Sequence, residues 1–135
     1  MNTFLVLAIL SFQVGFIKAC TCVDNPTNGC ASQYSVLGAV IGEQAVGDPF
    51  TEKIRYTVLV LQVYKTERPL ANVVQIEAYV EPSLCGLRLP LGRTFVISGY
   101  FDDMNVMNTN ACLYVRSWEE IPPWERAGLF CRRRY

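Results

Sequence analysis

The sequence predicts a small, mainly β domain with one short helix near its end and three disulfide bonds. Apolar and polar residues alternate in several short segments, which are separated by Gly, Pro, Asn and Asp. Six cysteines are scattered without the spacing of a zinc site, and their even number favours a disulfide framework. Segments of this kind form either a closed barrel or a two-sheet sandwich, and the pattern does not distinguish these two architectures.

Five segments have the residue pattern of β-strands. The second has apolar residues on both faces, which predicts burial on both sides, and the third alternates cleanly. Polar residues 43–52 are expected to form a loop, and 102–110 an open turn. A short helix is expected to begin near Pro122, with Gly128 just past its end. The predicted strands are Tyr34–Ile41, Arg55–Tyr64, Val73–Val80, Thr94–Tyr100 and Leu113–Val115.

Residues 1–19 have the pattern of a secretory signal peptide. Their apolar run is shorter than the about 20 residues that span a bilayer, and the small Ala19 precedes a cleavage point. We therefore expect a secreted, extracellular protein whose single domain covers residues 20–135. The alternatives are a buried N-terminal element and a lipoprotein, because residues 17–20 weakly resemble a lipobox. Residues 132–135 are expected to form a solvated basic tail.

Charge and composition exclude several functions. Loss of Lys18 with the leader leaves 11 basic residues against 12 acidic ones, which argues against nucleic acid as a partner. The chain has no His, so a Ser or Cys nucleophile would lack its usual base. The adjacent carboxylates of Asp102 and Asp103 are more typical of a turn. We expect a monomer that is not an enzyme, has no cofactor of its own and does not bind a membrane.

The mature chain would begin with Cys20-Thr21-Cys22-Val23. A free α-amino group has a pKa of about 7.7–8, so part of it is neutral near pH 7 and can donate a lone pair. The amine nitrogen and carbonyl oxygen of one residue can close a five-membered chelate on a metal. A catalytic zinc keeps one position open for water, which a rigidly held amino terminus can displace. The alternative is that the two cysteines only belong to a disulfide framework.

Further cysteine motifs along the chain are Cys30, Ser83-Leu84-Cys85-Gly86, Cys112-x-Tyr114-x-x-x-Trp118 and Cys131. Together with Cys20-Thr21-Cys22-Val23, they resemble the motifs of the tissue inhibitors of metalloproteinases. This resemblance covers residues 20–135 and implies a netrin-like module, an OB-like five-stranded closed β-barrel with flanking helices. It also implies the disulfides Cys20–Cys85, Cys22–Cys112 and Cys30–Cys131.

The resemblance implies a role for each of these residues. The amine and carbonyl of Cys20 would bind the zinc of a target protease, Thr21 would enter its primed-side pocket, and Val23 would continue the contact. Ser83 and Leu84, held next to Cys20 by Cys85, would lie on the unprimed side. The implied function is inhibition of matrix metalloproteinases or related zinc endopeptidases, the zinc belonging to the target. The alternative is a secreted netrin-like module that binds a receptor or matrix protein.

The sequence also departs from the family pattern. The segment between Cys22 and Cys30 is short and lacks the family's His-Pro-Gln, for which only Pro26 is a counterpart. The loop at 43–52 is short as well. Contacts made by longer loops in other members are therefore not expected here.

Overall fold

The computed structural model describes residues 20–23 and 25–132 of the chain. The predicted signal peptide, residues 1–19, and residues 133–135 of the predicted basic tail lie outside the described residues. The strands are β1 (Tyr34–Val46), β2 (Lys53–Thr66), β3 (Val73–Tyr79), β4 (Thr94–Phe101), β5 (Met107–Asn108) and β6 (Val115–Ser117). Helix α1 is Pro123–Arg126, and 3-10 turns cover Pro82–Leu84, Trp118–Glu120 and Ala127–Leu129.

Five strands form a closed ring in the order β1-β2-β3-β5-β4, and β4 pairs back onto β1. The β3–β5 pair is parallel, and the other pairs of the ring are antiparallel. Strand β6 pairs with the side of β4 that lies away from β1. The predicted mainly β fold with a closed five-stranded barrel is therefore confirmed, and the sandwich alternative is excluded.

The predicted fifth strand was wrong. The ring is closed by β5, which lies inside the segment expected to be an open turn, whereas Leu113–Val115 overlaps β6 only at Val115. Met107 pairs with Ile76 of β3 on one side and with Phe101 of β4 on the other. A two-residue strand has no periodicity to read, so its position depends on the neighbouring strands.

The hairpin between β1 and β2 is longer than expected. Residues 43–46 were predicted as loop, but they pair with residues 53–56 and extend β1 to Val46. The turn that follows is tight: Gly47 has φ +88°, and the Asp48 carboxylate accepts hydrogen bonds from the N–H groups of Thr51 (2.9 Å) and Phe50 (3.1 Å). The polar composition that indicated a loop instead reflects a solvent-exposed end of the hairpin.

The barrel interior holds the main hydrophobic core, and β4 contributes to a second core outside it. Phe95 and Ile97 point into the barrel, while Val96 points outward and packs with Ile121 and Leu129 of the C-terminal segment. The main core consists of Tyr34, Val36, Val40, Ile54, Tyr56, Val58, Ile76, Ala78, Leu89, Phe95, Ile97, Phe101 and Met107. Strand β4 is thus buried on both faces along most of its length.

Burial of β2 on both sides was a wrong prediction. Leu59, Leu61 and Val63 on its outer face are 37%, 52% and 38% exposed. The C-terminal segment packs against β4 and not against this face, which explains the difference. The alternation predicted for β3 is confirmed at its centre, where Ile76 and Ala78 are buried.

The C-terminal segment is compact but barely helical. Helix α1 begins beside Pro122 as predicted, but it ends at Arg126, so Gly128 lies within a 3-10 turn. The Arg126 guanidinium lies 4.0 Å from the centre of the Trp118 ring and donates to the carbonyl of Ile121 at 3.1 Å. In the described part of the chain, no helix is long and apolar enough to cross a membrane.

Candidate functional site

Residues 20–23 lie outside the sheet and are attached to the barrel by two disulfides. Cys20 is bonded to Cys85 and Cys22 to Cys112, with Cα–Cα distances of 5.1 and 5.2 Å. Both cysteines are half-buried, whereas Thr21 is exposed and Val23 is 98% exposed. Every second residue is therefore anchored, and the residues between the anchors face solvent.

The partner of Cys20 lies in a loop with a defined backbone. The N–H groups of Leu84 and Gly86 both donate to the carbonyl of Glu81 at 3.0 Å, and Cys85 N–H donates to Pro82 at 3.1 Å. Cys85 has a left-handed conformation, with φ 56° and ψ 36°. A Cβ at Gly86 would lie 2.6 Å from the Glu81 carbonyl oxygen, so the close approach requires glycine. Ser83 and Leu84 are exposed on this loop.

The partner of Cys22 lies in a segment that is itself bonded to the loop. Ala111 N–H donates to the carbonyl of Cys85 at 2.9 Å, and the Asn110 side chain accepts from Cys112 N–H at 2.9 Å. The buried Thr109 hydroxyl donates to the Ser98 carbonyl at 2.7 Å, which fixes the segment to β4. The two anchoring cysteines, Cys85 and Cys112, are therefore held relative to each other by backbone contacts.

A turn held by Asp102 leads into the same segment. Its carboxylate accepts from the N–H groups of Met104 and Val106, each at 2.9 Å, and from the Asn108 amide at 3.1 Å. The Val106 hydrogen bond is the main reason why the pKa of Asp102 lies below its ordinary value. Asp102 is therefore a turn former, as its sequence context indicated.

The sulfurs of the two disulfides lie against each other. Cys112 Sγ is 3.7 Å from Cys20 Sγ and 3.7 Å from Cys85 Sγ. The sulfurs of Cys20, Cys22 and Cys112 all lie within 4.8 Å of one another. Because each is oxidised, none offers the thiolate that a metal would bind.

The third disulfide, Cys30–Cys131, ties the start of the domain to its end, with a Cα–Cα distance of 5.5 Å. The Lys65 ammonium donates to the carbonyl of Cys30 at 2.8 Å near this bond. The three disulfides observed are the three pairs that the sequence resemblance implies.

The structure thus brings together all seven candidate residues of the sequence analysis. The Cys20–Cys85 bond joins residues 20–23 to residues 83–85, and none of these side chains carries a charge. Asn110 and Ala111, which support the site, were not predicted from the sequence. An Asn two residues before a cysteine is a signal for a side-chain-capped turn that could have indicated the first of them.

The β1–β2 hairpin turn lies beside this site and was also missed. Val80 N–H, just before the loop, donates to the carbonyl of Glu52 at 3.2 Å. Phe50 at the tip of the turn is 90% exposed. The turn therefore presents an apolar side chain at the same end of the barrel.

Comparison with known proteins gives a family and several relatives. The family described as tissue inhibitor of metalloproteinase matches residues 18–135. Metalloproteinase inhibitor 3 of Scyliorhinus torazame is 30% identical over 135 residues, which cover 97% of this chain and 63% of the relative. An NTR domain-containing protein of Margaritifera margaritifera is 30% identical over 132 residues, covering 93% and 87%. Metalloproteinase inhibitor 3 of Gallus gallus is 28% identical over 115 residues, covering 83% and 54%.

The chain spans 63% and 54% of the two metalloproteinase inhibitors named above. The family match, in contrast, includes every residue that the structure describes, with the barrel and all three disulfides. On that match, the chain belongs to the tissue inhibitor of metalloproteinase family.

Proposed function

We propose that this protein is a secreted inhibitor of zinc metalloendopeptidases, and that Cys20 binds the catalytic zinc of the target. The observation that carries the proposal is the fixation of Cys20. Its side chain is bonded to Cys85, in a loop held by internal backbone hydrogen bonds and by the hydrogen bond from Ala111 to Cys85. The residue after Cys20, Thr21, is exposed. Two of the relatives are named metalloproteinase inhibitors, which supports the same class of function.

The proposal requires removal of residues 1–19. Cleavage before Cys20 converts an internal peptide nitrogen into an α-amine, which is a metal ligand when neutral. The match to the family begins at residue 18, close to this cleavage point. Secretion through a signal peptide also fits three disulfides, which persist outside the reducing cytosol.

The chemistry at the zinc is then simple. The amine and carbonyl of Cys20 occupy the position that the target's zinc keeps for water, so the water nucleophile is lost. The inhibitor needs no metal or cofactor of its own, because the zinc belongs to the target. The Cys20 carbonyl belongs to the Cys20–Thr21 peptide bond, and this bond is not hydrolysed because the amine of Cys20 has displaced the water that would attack it.

The rigidity of residues 20–23 favours tight binding because it lowers the cost of ordering them on the target. Ordering a free terminus on binding costs about 0.5–1.5 kcal/mol for each immobilised side chain, and residues 20–23 are already ordered by two disulfides. Thr21 and Val23 are exposed beside Cys20, and we expect them to occupy the primed side of the substrate groove. Ser83 and Leu84 are exposed next to Cys85, the disulfide partner of Cys20, and we expect them to contact the unprimed side.

The proposal does not give the protein an enzymatic activity. The two relatives above are named as inhibitors, in agreement with the expectation from a chain without His. The matrix metalloproteinases and related zinc endopeptidases are the proposed partners.

The test is inhibition of a panel of purified matrix metalloproteinases by secreted protein whose Cys20 terminus has been verified by mass spectrometry. We expect tight inhibition with one inhibitor bound per enzyme, and we expect carbamylation of the α-amine to abolish it. No inhibition by correctly processed, fully oxidised protein would contradict the proposal. That result would favour a netrin-like module that binds a receptor or matrix protein.

A further inference from the structure

We propose that Cys20, Cys22, Cys85 and Cys112 form a single thiol–disulfide exchange site with Cys112 as the central sulfur. Two separate disulfides would normally be reduced independently of each other. Here Cys112 Sγ lies 3.7 Å from both sulfurs of the neighbouring Cys20–Cys85 bond. A thiolate at Cys112 would therefore be in contact with both sulfurs it could attack.

The exchange needs one external reductant, a small dithiol. The dithiol reduces Cys22–Cys112 to two thiols and is itself oxidised to a cyclic disulfide. The Cys112 thiolate then attacks Cys20 Sγ, so that the Cys20–Cys112 bond forms, the Cys20–Cys85 bond breaks and Cys85 leaves as a thiolate that takes up a proton. Attack on Cys85 Sγ instead forms Cys85–Cys112 and releases Cys20. The second step involves no net oxidation or reduction.

Entry through the other disulfide leads to the same products. Reduction of Cys20–Cys85 gives two thiols, whose sulfurs each lie 3.7 Å from Cys112 Sγ in the oxidised protein and which can attack once deprotonated. Attack by either one on Cys112 releases Cys22. Whichever bond is reduced first, Cys112 ends in a new disulfide and Cys22 ends as a free thiol.

The surroundings of the four sulfurs favour this outcome. Cys112 is held by the Asn110 side chain, and the neighbouring Ala111 is hydrogen-bonded to Cys85, so these two sulfurs stay in place. Residues 20–23 lie outside the sheet, so Cys20 and Cys22 can move once a bond opens. All four cysteines are half-buried, which leaves the site accessible to a small thiol.

The exchange would displace the N-terminal residue. In one product Cys20 is bonded to Cys112 instead of Cys85, and in the other it has no covalent anchor. If the proposed function is correct, reduction of one disulfide by one molecule of dithiol would therefore switch the inhibitor off. The exchange itself can be measured without any protease, so it stands or fails independently of the inhibition.

The test is partial reduction of the fully oxidised protein with one equivalent of dithiothreitol. The reaction is stopped with acid, free thiols are labelled, and the labelled residues and remaining disulfides are mapped by mass spectrometry. We expect singly reduced molecules with label on Cys22, together with either Cys20 or Cys85, and with Cys112 in a new disulfide. Label on the native pairs, Cys22 with Cys112 or Cys20 with Cys85, would overturn the proposal.

A variant gives a second test that needs no reductant. Cys22→Ser leaves a thiol at Cys112, and we expect the secreted variant to contain Cys20–Cys112 and Cys85–Cys112 bonds besides the native Cys20–Cys85. Cys30→Ser is the matched control, because it leaves a thiol at Cys131, and it should keep both native bonds of the cluster. A Cys22→Ser protein with only the Cys20–Cys85 bond and a free Cys112 would contradict the exchange. If this variant does not fold, the partial-reduction experiment is the deciding test.

Discussion

At the scale of single residues, the alternation in Cys20-Thr21-Cys22-Val23 decides what each side chain does. The cysteines are half-buried and bonded to the barrel, while Thr21 and Val23 are exposed. An exposed side chain contributes little to stability, so these two positions are available for contact with a partner. We therefore expect substitutions of Thr21 and Val23 to change binding without changing the stability of the fold.

Thr21→Gly tests this separation. We expect inhibition to weaken by roughly 10–100-fold, the loss of about 1–3 kcal/mol that follows removal of a small side chain from a pocket. The melting temperature should stay nearly unchanged, because the side chain is exposed. Inhibition constants and thermal melts check both parts. Thr27→Gly, the same change at another exposed threonine, should leave inhibition intact, and a large loss of stability in Thr21→Gly would mean that Thr21 is structural.

At the scale of elements, the loop at residues 81–86 places Cys85 and therefore Cys20. The loop is held by three internal backbone hydrogen bonds and by the contact from Ala111 to Cys85. Gly86 is its tightest point, because any Cβ there would overlap the backbone of Val80 and Glu81.

Gly86→Ala should therefore damage both folding and inhibition. We expect a loss of about 1–3 kcal/mol in the free energy of unfolding, as for an overpacked site, and weaker inhibition because Cys85 is displaced. Gly128→Ala is the matched control, since nothing lies within 4 Å of a Cβ at that position. Denaturant titrations and inhibition assays compare the two variants. Equal stability and equal inhibition in both would mean that the loop does not position Cys20.

The turn at Asp102 makes a prediction about pH. The folded-state pKa of Asp102 is lowered, chiefly by the hydrogen bond from Val106, so the carboxylate stabilises the fold above the unfolded-state value of about 3.9. That contribution is lost as the pH falls through the folded-state pKa. We expect Asp102→Asn to be less stable than the unsubstituted protein near pH 7 and the difference to shrink below about pH 4. Denaturant titrations across pH measure this difference, with the neighbouring Asp103→Asn as control. A difference in stability between Asp102→Asn and the unsubstituted protein that does not change with pH would contradict the prediction.

The elements also show how far the sequence predicts the fold. The four long strands were found because each is a run of seven or more residues rich in apolar and β-branched side chains and bounded by turn residues. Strand β5 was missed because two residues have no period, and its register depends on β3 and β4. The exposure of Leu61 could not be predicted, because the sequence of β2 does not say which face the C-terminal segment covers.

At the scale of the whole molecule, the disulfides divide into two groups. The bonds of Cys20 and Cys22 hold the candidate site, whereas Cys30–Cys131 closes a loop of 101 residues that contains most of the domain. The candidate site residues were predicted because N-terminal chemistry and the family resemblance both indicate Cys20. The contact from Ala111 to Cys85 depends on the folded barrel, so no local pattern marks it, whereas the turn at Asn110 has a local signal in its spacing to Cys112.

Removal of Cys30–Cys131 should lower stability alone, whereas removal of a disulfide of the candidate site should lower stability and inhibition. Cys30→Ser/Cys131→Ser should lose up to about 4.7 kcal/mol of stability by the chain-entropy argument for a loop of about 100 residues, and it should keep inhibition while it remains folded. Cys22→Ser/Cys112→Ser, with a separation of 90 residues, should lose a similar amount of stability together with inhibition. Thermal melts and inhibition assays on both double variants check this. Equal inhibition by the two would contradict the assignment of the site.

The central claim is that the α-amine of Cys20 binds the zinc of the target, and one added residue tests it most directly. Protein with a single Ala before Cys20 and protein that begins at Cys20 are prepared with all three disulfides intact. Their inhibition of one matrix metalloproteinase is then compared. The account predicts that the extra residue abolishes inhibition while the melting temperature is unchanged, because the amine is moved away from the metal. Equal inhibition by the two proteins would show that the amine of Cys20 is not the zinc ligand.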